Sequence, residues 1–150
     1  MAHEFKTPIN SIIGLIGIIK ENILINKENS ESTLNLIENL SKYVLFLISD
    51  IIHYLNPIEH HDVKIQKDHV NLKESMNFCY EILKSLISCN KTKMENIKPK
   101  MCLDISLKDL NIYTDEQRFK QILLNLLSNS VKFTNYGEIK ISAEISKKDS

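Results

Sequence analysis

The first 55 residues repeat apolar side chains at helical spacing, and this repeat constrains the fold more than any other feature of the chain. Apolar residues recur every three or four positions from Phe5 to Ile19, which predicts a first helix from Ala2 to about Ile25. A second repeat over 34–55 alternates steps of three and four, as in a coiled-coil heptad seam. Its positions are Leu34, Ile37, Ser41, Val44, Ile48, Ile51 and Leu55. The polar segment 26–30 predicts a turn, so the second helix is expected from about Ser30 to Leu55 in an antiparallel helical hairpin.

The hairpin carries more apolar surface than one seam can bury. Leu40, Phe46 and Leu47 lie outside the seam. Pairing of two hairpins into a four-helix bundle is the natural way to cover such surface. We therefore expect a homodimer. Pro8 lies in the first turns of the first helix and predicts a local kink.

The helical periodicity of the first half ends after Leu55. Asn56-Pro57 and the polar run 59–62 predict a linker. Beyond it, residue type and periodicity predict alternating strands and helices. We expect strands at 63–70, 101–105, 112–113 and 138–145, and helices from Leu72 to about Asn90 and from Asp115 to about Thr134. Two faces are expected to be buried: Met76, Cys79, Leu83, Leu86 and Ile87 in the first helix, and Ile139, Ile141, Ala143 and Ile145 in the last strand.

The overall prediction is an α+β chain with two domains. Residues 1–58 form the helical hairpin of a dimeric four-helix bundle, and residues 59–150 form a mixed helix–strand domain. The formal net charge is +0 and the pI is near 7.0, which does not favour a nucleic-acid partner, since that would need a basic stripe. The apolar run 12–19 is far shorter than the roughly 20 residues of a membrane span. Three scattered cysteines favour reduced thiols and a cytoplasmic location.

His3, Glu4 and Thr7 are the first candidate site. A neutral imidazole can attack phosphorus, and it does so better when a carboxylate holds its other nitrogen. Glu4 can serve as that base or tautomer-fixing group, and Thr7 shares a helix face with His3 because it lies four residues later. A zinc-protease site is excluded because position 7 would have to be histidine. A surface His–Glu pair at a chain end is the competing interpretation.

The helix expected from Asp115 carries the second candidate site. Its polar residues step by three or four and form one stripe, which consists of Arg118, Gln121, Asn125, Asn129 and Lys132. Phe119, Ile122, Leu123, Leu126 and Leu127 cover much of the rest. Asparagine is a poor helix former, whereas its amide oxygen suits magnesium and a nearby lysine suits phosphate. The stripe predicts a surface for a magnesium–triphosphate, with an ordinary solvated face as the alternative.

Two segments resemble the signature boxes of sensor histidine kinases. His-Glu-Phe-Lys-Thr-Pro at 3–8 resembles their phosphorylation box, with Ile9 where leucine is usual. The string 114–134 resembles the asparagine box of their ATP-binding domain. The resemblance implies that His3 is the phosphorylated residue, that Glu4 assists phosphorylation, and that Thr7 orients water for dephosphorylation.

The same resemblance implies roles in the asparagine box and a set of partners. Asn129 would be the magnesium ligand, and Asn125 and Lys132 would contact phosphates or the magnesium shell. The parent enzyme would be a homodimer that uses Mg²⁺ and ATP to phosphorylate His3 and then passes the phosphoryl group to an aspartate of a response-regulator receiver domain. The resemblance is also compatible with a membrane anchor elsewhere in the parent protein.

The chain also departs from the family pattern. The family continues with Asp-x-Gly-x-Gly and a second glycine-rich segment, whereas only Gly137 follows the asparagine box here. The resemblance therefore implies an incomplete α/β-sandwich ATP-binding domain, whose last strand is expected to lack sheet partners. The chain alone is expected to be inactive. Two alternatives stay open, namely a non-catalytic dimerisation or phosphotransfer module and a relic coiled-coil protein.

A loose group of titratable residues surrounds the linker, namely His53, His60, His61, Asp62 and His69. A structural metal site needs fixed spacing and usually four ligands. The irregular spacing favours a solvated linker, with a metal site as the less favoured alternative.

Overall fold

The computed structural model describes residues 2–22, 27–55, 65–104, 107 and 109–145. They belong to two compact units, Met1–Asp62 and Val63–Ser150. The linker expected at 56–62 and the domain boundary expected after residue 58 lie outside the described residues, so both remain predictions.

The first unit is a pair of packed helices, α1 (Ala2–Asn22) and α2 (Lys27–Leu55). The expected all-helical first half is confirmed. Helix α2 begins before Ser30, where the sequence predicted its start. Lysine and glutamate, the residue types at 27 and 28, are good helix formers, which is consistent with this earlier start. Pro8 lies inside α1 and is fully buried.

The buried face of α2 differs from the predicted seam. Leu40 and Tyr43 are buried, at 0% and 5% exposure, although Leu40 was expected outside the seam. Leu34 and Ile48, both seam residues, are 55% and 41% exposed. Apolar side chains occupy more than one face of α2, and the pairing of α1 with α2 uses the face that carries Leu40 and Tyr43. The heptad pattern alone could not distinguish the two faces.

The second unit mixes strands and helices in the order β1 (Asp68–Asn71), α3 (Leu72–Ser88), α4 (Lys91–Asn96), β2 (Ile97–Leu103), β3 (Asn111–Thr114), α5 (Glu116–Phe133) and β4 (Gly137–Ala143). Strand β1 pairs with β3 in antiparallel fashion, and β2 pairs with β4 in parallel. Helix α3 packs against α5 and against β2. Its core residues Met76, Cys79, Leu83 and Ile87 are buried as predicted, whereas Leu86 is half-buried.

Local caps explain where the helices begin. The side chains of Asn71, Asn90 and Asp115 accept hydrogen bonds from the N–H groups of the residues three positions later, at 3.0, 3.1 and 3.0 Å. Each satisfies an amide that the first turn leaves unpaired. The predicted starts of α3 and α5 are therefore confirmed to within a residue.

The predicted bounds of two strands need correction, and the structure adds one helix. Strand β1 begins at Asp68, and 65–67 are not strand, because pairing with β3 sets its length. Helix α4 was not predicted. Strand β2 begins at Ile97, before the predicted Met101, and includes Pro99, which fits a strand with a free edge. Among the described strands β2 pairs only with β4, so one of its edges is free for Pro99. The Pro99 carbonyl accepts a hydrogen bond from the Tyr80 hydroxyl at 3.1 Å.

The expectation that the last strand lacks partners is wrong. Strand β4 pairs with β2 from Gly137 opposite Ile97 to Ala143 opposite Leu103. Ile139 and Ile141 are buried as predicted, but Ile145 lies beyond the strand and is 57% exposed. Gly137 opens the strand with φ of +113°, a backbone conformation that favours glycine.

Candidate functional site

The first candidate site lies at the start of α1. Positions 3, 4 and 7 all fall within this helix, so positions 3 and 7 are about one turn apart. The Thr7 side chain is exposed, and its carbonyl accepts a hydrogen bond from the Ser11 hydroxyl at 3.0 Å. The side chains of His3 and Glu4 lie outside the described part of the structure. Their catalytic roles therefore remain predictions.

The second candidate site lies on α5. Asn125, Asn129 and Lys132 are exposed, and their spacing places them on one face of the helix. The opposite face carries the buried Leu124, Leu127 and Val131, and α5 packs against α3. The structure therefore brings the three predicted ligand residues together.

The N-terminal half of the predicted stripe has a different character. Arg118 Nη1 donates to Gln121 Oε1 at 2.9 Å, and both side chains are half-buried. This guanidinium–amide pair satisfies polar atoms within the helix itself. The part of the stripe open to a ligand is thus its C-terminal half, which holds the two asparagines and Lys132.

Apolar side chains border the exposed asparagines. Ile122 and Leu126 are 63% and 61% exposed, because α5 turns Leu124, Leu127 and Val131 inward instead. The Lys132 ammonium lies 5.3 Å from the centroid of the Phe133 ring, a cation–π distance. The surface therefore combines amide oxygens, a positive charge and apolar contacts, which suits a ligand with both charged and apolar parts.

A polar network fixes the start of α5 to α3. Glu116 Oε1 accepts a hydrogen bond from the Ser75 hydroxyl at 3.0 Å and pairs with the Lys120 ammonium at 2.7 Å. The hydrogen bond from Lys120 holds the pKa of the Glu116 carboxyl below its usual value, with a smaller contribution from Ser75. The same ammonium lies 4.6 Å from the Phe78 ring centroid. These contacts orient the helix that presents Asn125 and Asn129.

A lysine fixes the end of the same helix. The Lys93 ammonium, on α4, donates to the carbonyl oxygen of Val131, and to those of Lys132 and Thr134 at 3.1 and 3.0 Å. Sequence reasoning missed Lys93 because its partners lie about 40 residues later and α4 was not predicted. No local pattern identifies such a contact.

Asn129 and Asn125 meet the chemical demands of a magnesium site. Their amide oxygens are hard ligands, and Mg²⁺ is usually held by one or two protein oxygens together with water and phosphate. Four residues of helix separate them by about 6 Å along the axis, so both can serve one hydrated ion or its phosphate ligands. The donor set present on α5 therefore fits the group that the sequence predicted.

The other candidate residues fall in two groups, the loose histidine group and the cysteines. In the described ranges, no group of three or more His, Cys, Asp or Glu residues could hold a metal ion. His69 packs against Tyr113, with ring centroids 5.3 Å apart, and the remaining members of the loose histidine group have no described side chains. Burial raises the pKa of the Cys79 thiol to about 12, so this cysteine packs in the core, as predicted, and is a poor nucleophile.

None of the helices in the described part of the chain has both the length and the apolar character needed to cross a membrane.

Comparisons with known proteins agree with the resemblance to sensor histidine kinases. Residues 1–55 match the family model of the His Kinase A (phospho-acceptor) domain. Hybrid signal transduction histidine kinase B of Dictyostelium discoideum is 32% identical over 100% of this chain. Autoinducer 2 sensor kinase/phosphatase LuxQ of Vibrio parahaemolyticus is 29% identical over 97% of the chain. Peroxide stress-activated histidine kinase mak1 of Schizosaccharomyces pombe is 26% identical over 99%.

The chain is short relative to these proteins. It spans 7% of the Dictyostelium kinase, 16% of the Vibrio kinase and 8% of the yeast kinase. Among solved structures, histidine kinase AdeS of Acinetobacter baumannii aligns with 97% of this chain and 67% of its own, with a TM-score of 0.48 and 22% identity. The predicted resemblance to sensor and hybrid histidine kinases is confirmed by the sequence relatives and the family model.

Proposed function

Because this chain is homologous to sensor and hybrid histidine kinases and begins with their phospho-acceptor domain, we propose that its parent protein phosphorylates His3 from ATP. The phosphoryl group then passes to an aspartate of a receiver domain on a response regulator. The single structural observation that supports this proposal is the common exposed face of Asn125, Asn129 and Lys132 on α5. These are the asparagine-box residues that the sequence assigned to magnesium and phosphate.

In the proposed reaction His3 is the nucleophile. One neutral ring nitrogen forms a bond to the γ-phosphorus, while the bond from phosphorus to the β–γ bridging oxygen breaks and ADP leaves. Glu4 accepts the proton of the other ring nitrogen, or holds it in a strong hydrogen bond, so that the imidazole gains nucleophilicity. Thr7, one helical turn away, positions the water that later hydrolyses the phosphohistidine.

Helix α5 supplies the phosphate side of the proposed site. The amide oxygens of Asn129 and Asn125 would hold magnesium or its water shell, and the Lys132 ammonium would bind phosphate oxygens. Bound magnesium would neutralise charge on the triphosphate. Ile122 and Leu126, both exposed beside the asparagines, would supply apolar surface next to the bound magnesium–triphosphate.

We also propose that the first unit dimerises through its exposed apolar face. Apolar residues stay open on α1 and on α2, namely Ile9, Ile13, Ile16, Leu34, Leu45, Ile48 and Ile52, each at least 40% exposed. Residues 45, 48 and 52 follow helical spacing and form one stripe. A second hairpin would cover this surface in a four-helix bundle. We place this kinase segment in the cytoplasm, in keeping with its three scattered cysteines.

Autophosphorylation of the full-length parent protein tests the proposal. Incubation with Mg²⁺ and γ-labelled ATP is expected to label the wild type, whereas His3→Ala and Asn129→Ala abolish labelling. Asn111→Ala is the matched control, because this exposed asparagine lies on β3 away from the stripe. Equal labelling of the Asn129→Ala and Asn111→Ala variants would contradict the role of the asparagine stripe, and no labelling of the wild type would contradict the kinase activity.

A further inference from the structure

Lys93 holds the C-terminal turn of the helix that carries the asparagine stripe. Its ammonium donates to three carbonyl oxygens, those of Val131, Lys132 and Thr134. The last carbonyls of a helix have no partner within the helix, so a lysine from another element is an effective cap. Lys93 itself is half-buried, which limits the alternatives open to its side chain.

This cap lies where the proposed function needs positive charge. The C-terminal end of a helix carries a partial negative charge, which disfavours an anion nearby. Asn129 and Lys132, assigned to magnesium and phosphate, occupy the last turns of α5. A triphosphate at these residues would be repelled by the uncapped carbonyls, and the Lys93 ammonium offsets that repulsion.

The cap also constrains Lys132 directly. One of the three carbonyls belongs to Lys132 itself, at 3.1 Å from the Lys93 ammonium. The backbone at Thr134 is held from two sides, since its N–H donates to Ser130 at 3.0 Å while its carbonyl accepts from Lys93. The helix end from which the Lys132 side chain projects is thereby fixed.

We propose that Lys93 is a positioning residue for nucleotide phosphates, which acts through the last turn of α5 without touching the nucleotide. The proposal rests on the proposed kinase function. It assigns a task in ATP binding to a residue outside the asparagine box, on a helix of six residues, Lys91–Asn96.

Hydrogen exchange on the 150-residue chain tests the cap without requiring activity. Lys93→Met keeps much of the side-chain length and removes the charge, and it is expected to speed amide exchange in the last turn of α5, at 131–134. Lys93→Arg should restore protection because it returns donors and charge. Lys91→Met is the matched control, since Lys91 is an exposed lysine of the same short helix. Equal exchange in the Lys93→Met and Lys91→Met variants would overturn the proposal.

Kinetics of the full-length protein tests the link to ATP. Lys93→Met is expected to raise the KM for Mg-ATP about three- to tenfold, the range that a charge at a helix end can produce, with kcat changed less than KM. Lys93→Arg should return KM towards wild type, and Lys91→Met should leave it unchanged.

Failure of the positioning role of Lys93 and failure of the proposed kinase function give different results. A merely structural role would lower the amount of active enzyme and the apparent kcat while KM stays constant. That result, with the wild type labelled on His3, would overturn the positioning role and leave the proposed function intact. Absence of any labelling in the wild type would overturn the proposed function and the role of Lys93 in it, even where the exchange data show the cap.

Discussion

At the scale of single residues, Asp115 serves two parts of the second unit at once. One carboxylate oxygen accepts the N–H of Arg118 at 3.0 Å and caps α5, and the other accepts the N–H of Gln66 at 3.1 Å. Gln66 lies just before β1, so Asp115 joins the start of this unit to the helix that carries the asparagine stripe.

Removing this carboxylate should destabilise the second unit. Asp115→Ala loses both hydrogen bonds and is expected to cost about 1–2 kcal/mol in free energy of unfolding. Asp115→Asn is the matched control, because asparagine is an equally good cap and keeps an acceptor for Arg118. Its cost should be clearly smaller. Urea denaturation of the chain measures both, and equal losses would show that the cap is not the source of stability.

Glu116 predicts a dependence of stability on acid pH. The hydrogen bond from Lys120, with help from Ser75, lowers the pKa of this carboxyl below its ordinary value of 4.5. A carboxyl whose folded pKa is lowered stabilises the fold above its unfolded pKa, and the contribution is lost as pH falls through the folded pKa. The free energy of unfolding of the wild type should therefore approach that of Glu116→Gln below about pH 4.5.

Denaturation midpoints measured at several pH values provide the check for Glu116. The gap between the wild type and Glu116→Gln should be largest near neutral pH and close as the solution becomes acidic. Glu95→Gln is the control, since Glu95 is exposed on α4. A gap that stays constant from neutral pH to pH 3 would exclude the predicted pKa shift.

At the scale of elements, α2 presents two apolar faces and the hairpin covers one of them. Leu40 and Tyr43 are buried, whereas Leu45, Ile48 and Ile52 are exposed. The heptad pattern predicted a coiled-coil helix and predicted surplus apolar surface. It could not decide which face packs inside one chain, because both faces carry apolar residues at suitable spacing.

The exposed face of α2 is part of the proposed dimer interface. Leu45→Glu combined with Ile48→Glu should yield a monomer, because burial of like charges without partners is costly. We expect the dimer to weaken at least about 100-fold, in line with several kcal/mol of desolvation. Sedimentation of the chain measures this, and Ser32→Glu with Asn35→Glu adds the same charge at exposed polar positions. A wild-type chain that stays monomeric at high concentration would contradict dimerisation.

The accuracy of the sequence-based predictions followed the range of the interactions. Helix α5 was predicted well, since the Asp115 cap and the helical period are local. Strand β2 and helix α4 were not, because pairing with β4 and the Lys93 contacts join residues about 40 positions apart. Packing against α3 decides which side of α5 is buried. The exposure of Ile122 and Leu126 therefore could not be predicted from the sequence of α5 alone.

At the scale of the whole molecule, the proposed reaction needs groups from both units. His3 lies in the first and the asparagine stripe in the second. The exposed stripe is open to water, which competes for phosphate and screens charge. Small-molecule sites usually enclose much of their ligand, and the described residues of α5 present one open face.

The chain alone should therefore bind nucleotide weakly. Calorimetric titration of residues 1–150 with Mg-ATP is expected to give no isotherm at micromolar concentrations. Asn129→Ala should behave like the wild type in this experiment. A micromolar isotherm that disappears in Asn129→Ala would mean that the stripe on α5 is sufficient for binding, contrary to this prediction.

The assignment of His3 as phosphate acceptor is the central claim, and phosphorylation of this chain in trans tests it most directly. A complete kinase of the same family, supplied with Mg²⁺ and labelled ATP, should transfer label to the wild type and to His69→Ala, which replaces an exposed histidine of β1. The His3→Ala variant should stay unlabelled. The product should be labile in acid and stable in alkali, as a phosphoramidate is. Label that persists in His3→Ala, or that survives acid, would contradict the account.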